Sequence, residues 1–126
     1  YLYQDTDKNY TILHALGGFD EVSLTSDFKT FTGKGEALHS TADLGFEQLS
    51  EADIKGGDTV ESSAKIFMSI LNGEGTDAQR NVVLCNAAIA IQTIDQQKSF
   101  GDCFYEAEAA LMNKQALRSF KPLLSA

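Results

Sequence analysis

The chain has 126 residues, enough for one domain with its own hydrophobic core, and its formal net charge is −8. This acidic balance argues against a protein that reads nucleic-acid phosphates and, since no polybasic tract is present, against one that binds membrane lipid. It does not exclude an anionic substrate, because a divalent cation can link carboxylates to phosphates.

Targeting and redox features point to a cytoplasmic protein. The longest apolar stretch, residues 82–91, is too short to span a bilayer, and no signal peptide is visible. We expect Cys85 and Cys103 to be reduced thiols buried in helices. The chain starts with Tyr1 and is apolar from its first residue, which suggests a cut or processed chain.

Strand-like patterns occupy the first third of the chain. Residues 10–14 form a continuous run of aromatic and branched side chains, which predicts a buried strand of the parallel-sheet type. Residues 22–25 alternate apolar and polar side chains and predict a half-buried strand. Residues 28–31 alternate as well, and the glycines that follow predict a tight reversal into a partner strand. We therefore predict a small antiparallel ribbon across residues 28–41.

From Gly56 the sequence takes on helical periodicity. A capping-box-like pair, Asp58 and Glu61, marks the start of a first helix, and Gly73 and Gly75 end it. One face of this helix is apolar: Val60, Ala64, Phe67 and Leu71. Thr76 and Gln79 mark the start of a second helix, which is apolar nearly all round and should lie inside the fold.

The last quarter of the chain predicts two more helices. One starts at Ser99 and ends near Asn113. It carries a single apolar stripe: Phe100, Cys103, Phe104, Ala107 and Leu111. The final short helix should end or bend near Phe120, because Pro122 disfavours helical geometry in the residue before it. The whole pattern predicts one α/β unit across residues 1–126, with strands of a central sheet and an antiparallel ribbon followed by three to four helices.

Adjacent carboxylates at Asp20 and Glu21 form the first candidate site. They follow Gly17 and Gly18 at the entrance to the predicted strand 22–25. Hard cations prefer carboxylate oxygens, with waters and substrate phosphates completing the shell, and glycines allow a close approach of backbone and ligand. The residues alone leave two interpretations open, a metal site and a solvated turn.

Other polar residues have structural interpretations beside functional ones. Residues 55–58, Lys-Gly-Gly-Asp, are either a phosphate-binding nest at a helix start or a tight loop with the lysine in solvent. Asn86 lies inside the apolar helix and is expected to bond to backbone there. We expect His14 to be a core histidine and His39 a surface residue of the ribbon, since neither has a partner at metal-ligand spacing.

Several stretches, in order and at about the family's spacing, resemble the anthranilate phosphoribosyltransferases over essentially the whole chain. They are residues 12–14, 18–21, 23–25, 55–58, 84–88 and 116–117. The resemblance implies transfer of the phosphoribosyl group of phosphoribosyl pyrophosphate to anthranilate, a step of tryptophan biosynthesis. It also implies that the chain is the carboxyl-terminal part of a larger α/β glycosyltransferase domain, without the family's N-terminal helical domain.

The resemblance implies Mg²⁺ as the cofactor and Asp20 and Glu21 as its ligands, with Glu21 bridging two ions and Asp20 ligating the second. Two cations would neutralise the leaving pyrophosphate, so that no protein nucleophile is required. The implied partners of the intact enzyme are both substrates and, through the N-terminal domain, a second copy. Because that domain and most of the site lie outside this chain, we expect the chain to be inactive alone.

Two positions depart from the family pattern. Gly17 stands where an acidic residue is usual, and Lys114 stands where a glycine is usual. The family's Gly-Thr-Gly-Gly-Asp phosphate loop and its anthranilate-contacting residues would lie upstream. Two alternatives remain: part of a pyrimidine nucleoside phosphorylase, which shares the fold family but does not rely on this metal pair, and a free-standing, non-catalytic binding domain.

Overall fold

A computed structural model describes residues 2–3 and 5–125, where a small sheet precedes four α-helices. The strands are β1 (Thr11–Ala15), β2 (Phe28–Thr32) and β3 (Gly35–His39). The helices are α1 (Val60–Leu71), α2 (Asp77–Ile94), α3 (Phe100–Met112) and α4 (Gln115–Phe120), with 3-10 helices at Ala42–Leu44, Glu51–Ile54 and Lys121–Ser125. The predicted α/β class and helix number are confirmed.

The sheet has the order β1-β2-β3, with both neighbouring pairs antiparallel. The predicted ribbon is therefore confirmed as β2 and β3. The parallel-sheet interpretation of residues 10–14 is wrong for the described sheet, because β1 pairs antiparallel with β2 and its burial alternates. A short apolar run does not distinguish the two kinds of strand.

The predicted strand at residues 22–25 does not form. Val22 and Leu24 are buried, at 0% and 1% exposure, but Leu24 has a φ of +59°. A left-handed residue interrupts the extended backbone that a strand needs. The segment is instead a bent loop that carries apolar side chains into the core.

The core lies between the inner face of the sheet, the loop after β1 and helix α2. Its buried members are Ala15, Val22, Leu24, Phe28, Cys85 and Ile89. A second cluster joins α2 to α3 through Leu84, Ala107 and Leu111. The predicted apolar stripe of α3 is thus confirmed where it faces α2, and the loop after β1 is part of the same core as the sheet.

Helix starts follow local hydrogen bonding. The Thr76–Gln79 capping box and the Ser99 start of α3 are confirmed, and Asn113 follows its last residue. The start predicted at Asp58 is wrong by one residue, because Thr59 caps α1 and exchanges hydrogen bonds with Ser62. The predicted end near Phe120 is confirmed, since α4 gives way there to a 3-10 helix.

Helices α1 and α2 both have apolar surface that is open in the described structure, although α2 was predicted to lie inside the fold. No residue of α1 is buried, and Val60 is 82% exposed. Phe67 packs edge-on against Phe120, with the two ring centroids 4.9 Å apart. Helix α2 is not enclosed all round, because Val83 and Ile94 are exposed. Both helices therefore show apolar surface that the described residues leave uncovered.

Lys114 links α3 to α4 in a left-handed conformation, with φ of +59°, and its Nζ donates to the carbonyl oxygen of Asn72. A side chain at such a φ costs free energy that glycine does not. We expect Lys114→Gly to be more stable than Lys114→Ala by about 1 kcal/mol, since both lose the Nζ bond and only glycine relieves the strain. Urea unfolding of the two variants measures this, and equal midpoints would contradict it.

Both cysteines are free and fully buried, as the sequence predicted. Desolvation raises the pKa of the Cys85 thiol to about 12 and also raises the pKa of Cys103. Among the described residues, no helix combines the length and the apolarity that crossing a bilayer requires.

The buried Cys85 thiol should make stability fall in alkali. Below pH 9 both states hold the proton, but between about pH 9 and pH 12 the unfolded chain releases it while the folded chain keeps it. The free energy of unfolding should fall by up to about 1.4 kcal/mol per pH unit from this thiol. Urea unfolding from pH 8 to 10.5 should show a shallower decline for Cys85→Ala, and identical slopes would refute the assignment.

Candidate cation site

Asp20 and Glu21 lie in the loop that joins β1 to β2. Both side chains are exposed. Within the described residues neither carboxylate forms a hydrogen bond or an ion pair with another side chain or with backbone. Their oxygens are therefore free to bind an ion from solvent.

A tight turn fixes the entrance to the acidic pair. The Gly18 N–H donates to the carbonyl oxygen of Ala15, and the Ala15 N–H donates to that of Phe19, each at 3.1 Å. Gly18 has a φ of +93°, a backbone conformation that glycine adopts readily and that residues with a side chain rarely adopt. The turn thus ties the residue before Asp20 directly to the end of β1.

Gly17 sits against the far end of the same loop. Its N–H donates to Ser26 Oγ at 2.9 Å, and a Cβ on Gly17 would lie only 2.9 Å from that oxygen. The acidic residue that is usual here in the resembling family would require Ser26 to move. In this chain the contact closes the loop across nine residues.

The exit from the acidic pair is held by the core and by the chain that follows. Val22 and Leu24 belong to the core, and the Leu24 carbonyl oxygen accepts a bond from the Leu49 N–H at 2.8 Å. Gln48 Nε2 donates to the Thr25 carbonyl oxygen at 2.6 Å. A buried leucine in the left-handed region persists only where its surroundings hold it, so this exit is firmly placed.

Asn86 joins this loop to helix α2, and its predicted bonding to backbone is confirmed. Its Oδ1 accepts from the Val22 N–H at 3.0 Å, and its Nδ2 donates to the Val22 carbonyl oxygen at 2.8 Å. Nδ2 also donates to the Val82 carbonyl oxygen, one helical turn back, at 2.9 Å. The side-chain amide is thereby paired with Val22, the residue that follows Glu21.

The donor set fits a hard cation that takes only part of its shell from protein. In residues 2–3 and 5–125 no group of three or more His, Cys, Asp or Glu side chains could hold a metal. Mg²⁺ is commonly held by one or two carboxylates, with waters and substrate phosphates supplying its other ligands. Asp20 and Glu21 match that arrangement, whereas a Zn²⁺ site would need further nitrogen or sulfur ligands.

Residues 55–58 form a loop that leads into α1, with the Lys55 side chain mostly exposed. Lys55 Nζ lies 2.8 Å from Asp58 Oδ1, in an ion pair whose side chains are 69% and 84% exposed. A Cβ on Gly57 would overlap Ser62 Oγ and the Ser63 backbone, so the loop lies directly on the first turn of α1. The phosphate-nest interpretation stays a prediction.

The two histidines differ from their expectations. His14 is exposed on β1, because the antiparallel sheet turns its side chain away from the core. His39 is half-buried: its ring stacks on Phe28 with centroids 5.0 Å apart and shares a 2.9 Å hydrogen bond with Thr30 Oγ1. Neither histidine lies in the loop that carries the acidic pair.

Comparison with known proteins points to one enzyme family. No family model matches the chain. It is 47% identical over 123 residues to the anthranilate phosphoribosyltransferase of Christiangramia forsetii and 39% identical over 124 residues to that of Bacteroides thetaiotaomicron. Over almost its whole length the chain matches a segment of the anthranilate phosphoribosyltransferases. Each match covers 98% of this chain but 37% of the relative, so the chain spans little more than a third of their length.

Solved structures of anthranilate phosphoribosyltransferases share the fold of this segment. The enzyme from Thermus thermophilus superimposes with a TM-score of 0.80 at 19% identity, over 91% of this chain and 34% of that one. The enzyme from Saccharomyces cerevisiae in complex with PRPP and Mg superimposes with a TM-score of 0.77 at 17% identity, over 88% and 32%. The α/β architecture is thus that of the phosphoribosyltransferase fold.

Proposed function

We propose that this chain forms the cation-binding part of an anthranilate phosphoribosyltransferase, with Asp20 and Glu21 as ligands of Mg²⁺. The observation that carries the proposal is a pair of exposed carboxylates, without a partner among the described residues, on a loop anchored at both ends. The relatives at 37–47% identity support the reaction class, and a solved family member in complex with PRPP and Mg supports the cofactor.

The two carboxylates would have distinct positions in the site, Glu21 between two ions and Asp20 on the second. Bound Mg²⁺ would neutralise the negative charge that gathers on the departing pyrophosphate. The chain's own contribution is a pair of adjacent, exposed acidic residues that have no cationic partner among the described residues. A lysine or arginine paired with either carboxylate would compete with the ion, and within the described residues none is paired with them.

We also propose that residues 1–126 are one unit of a larger α/β domain. The outer face of the sheet carries a groove of about 660 Å³ whose lining is largely apolar, including Tyr3, Tyr10, Ile12 and Phe31. Together with the uncovered face of α1, this surface would pack against the remaining two thirds of the family fold. That remainder would supply the phosphate and anthranilate contacts and the homodimer interface.

A chimeric enzyme tests the proposed function. The matching segment of the 47%-identical relative is replaced by this chain, and phosphoribosyl anthranilate formation is followed with both substrates and Mg²⁺. We expect the chimera to be active and dependent on Mg²⁺, while the isolated chain forms no product. A folded chimera without activity, or turnover by the isolated chain at the rate of the relative, would contradict the proposal.

A further inference from the structure

The Asn86 side-chain amide forms hydrogen bonds with both backbone groups of Val22, the residue that follows the acidic pair. Val22 is fully buried and lies in a bent loop, so no neighbouring strand satisfies its N–H and its carbonyl oxygen. Within the described residues both groups find their partner in the Asn86 amide, at 3.0 Å and 2.8 Å. The side chain thus occupies the place that an adjacent strand would fill in a sheet.

This amide also fixes the loop to a rigid element. Asn86 Nδ2 is shared with the Val82 carbonyl oxygen on α2, which restricts the side chain. The neighbouring Cys85 is fully buried in the core that contains Val22. Hence the residue that follows Glu21 is held at a set position relative to α2.

Only Asp20 and Glu21 separate this anchor from the turn that ends at Phe19. A two-residue bridge between fixed ends has little freedom to change its backbone, so the placement of both carboxylates depends on both anchors. We propose that Asn86 is a positioning residue for the Asp20–Glu21 cation site. The inference rests on the proposed function, because it needs the pair to bind a cation.

A purely structural Asn86 would support folding without influencing the ion. The two roles differ in the affinity of the folded chain for a divalent cation. Mn²⁺ is a suitable probe, since it accepts oxygen ligands as Mg²⁺ does and broadens the NMR signals of nearby amides. Titration of the ¹⁵N-labelled 126-residue chain with Mn²⁺ reports weak binding residue by residue and needs no enzymatic activity.

Two variants and one control separate the roles. Asn86→Ala removes all three hydrogen bonds, and Asn86→Gln keeps the amide for its buried partners but displaces it by one methylene. Thr93→Val is the matched control on the same helix, because Thr93 bonds to Thr11 on β1 at 2.6 Å and lies apart from the acidic loop in sequence. We expect both Asn86 variants to bind Mn²⁺ at residues 18–22 roughly tenfold more weakly, the lower end of outer-shell effects, and Thr93→Val to bind as the wild type does.

Each outcome decides between the claims. Unchanged Mn²⁺ affinity in a folded Asn86 variant would overturn the positioning role and leave the cation site standing. Absence of Mn²⁺ broadening at residues 18–22 of the wild-type chain would overturn the cation site and the positioning role together. If the amide spectrum shows that Asn86→Ala is unfolded, Asn86→Gln decides the question alone.

Discussion

Replacing Asp20 by asparagine and Glu21 by glutamine in the chimera should lower phosphoribosyl anthranilate formation by about a hundredfold or more. The amides keep the size of the side chains but remove the negative charge that attracts the cations. Neither carboxylate supports another residue of the described structure, so the fold should be unaffected. Steady-state rates at saturating substrates and varied Mg²⁺ concentration measure the effect.

A charge-matched control accompanies this prediction. Asp5→Asn with Asp7→Asn removes the same two charges from exposed positions outside the acidic loop. This variant should keep the activity of the unmodified chimera, because surface charges away from the bound ion are screened by solvent and salt. Equal losses in the two double variants would show that net charge, and not the Asp20–Glu21 site, accounts for the effect.

Phe28→Ala should lower the free energy of unfolding by about 3–5 kcal/mol, the usual cost of deleting a buried phenyl ring. Phe28 is 2% exposed, belongs to the main core and stacks on His39. Since small domains are stable by only about 5–15 kcal/mol, the isolated chain should lose most of its stability. Urea unfolding followed by circular dichroism provides the measurement.

Phe31→Ala is the matched control for this prediction, with the same substitution on the same strand. Phe31 lies on the outer face of the sheet beside the open groove and is only partly buried. Its loss should cost clearly less than that of Phe28, because less apolar area returns to water on unfolding. A larger loss at Phe31 than at Phe28 would mean that the outer face, and not the inner one, carries the core.

Sequence signals for a helix start were reliable where the two residues that form the capping hydrogen bonds lie within one helical turn of each other. Thr76 and Gln79 mark the start of α2 because a capping box is complete within four residues. The same three-residue spacing gave a wrong helix start at Asp58 and Glu61. Thr59 and Ser62 have that spacing too, and they form the capping hydrogen bonds of α1. Spacing alone does not choose between overlapping pairs.

Tertiary contacts account for the errors in the first third of the chain. Alternation at residues 22–25 correctly indicated buried side chains, but burial there comes with a left-handed Leu24 and not with a strand. Asn86 was expected to bond to backbone, yet its partner Val22 lies 64 residues away, beyond any local pattern. The sequence predicted one apolar face on α1, and the described residues leave all residues of this helix at least partly exposed.

The acidic pair illustrates the limit of inference from residues alone. Two adjacent carboxylates after glycines suited a solvated turn as well as a metal site, and only the ordered resemblance to a family favoured the metal. The structure adds that neither side chain has a partner among the residues it describes and that the loop is anchored on both sides. The role of Asp20 and Glu21 as ligands stays a prediction.

A crystal structure of the chimera with phosphoribosyl pyrophosphate and Mn²⁺ in place of Mg²⁺ tests the central claim most directly. Anomalous scattering locates the ions independently of the surrounding density. We expect carboxylate oxygens of both Asp20 and Glu21 to lie within about 2.0–2.3 Å of Mn²⁺, with the substrate's diphosphate and waters completing its shell. Ions bound to the diphosphate with neither carboxylate in coordination distance would contradict the account.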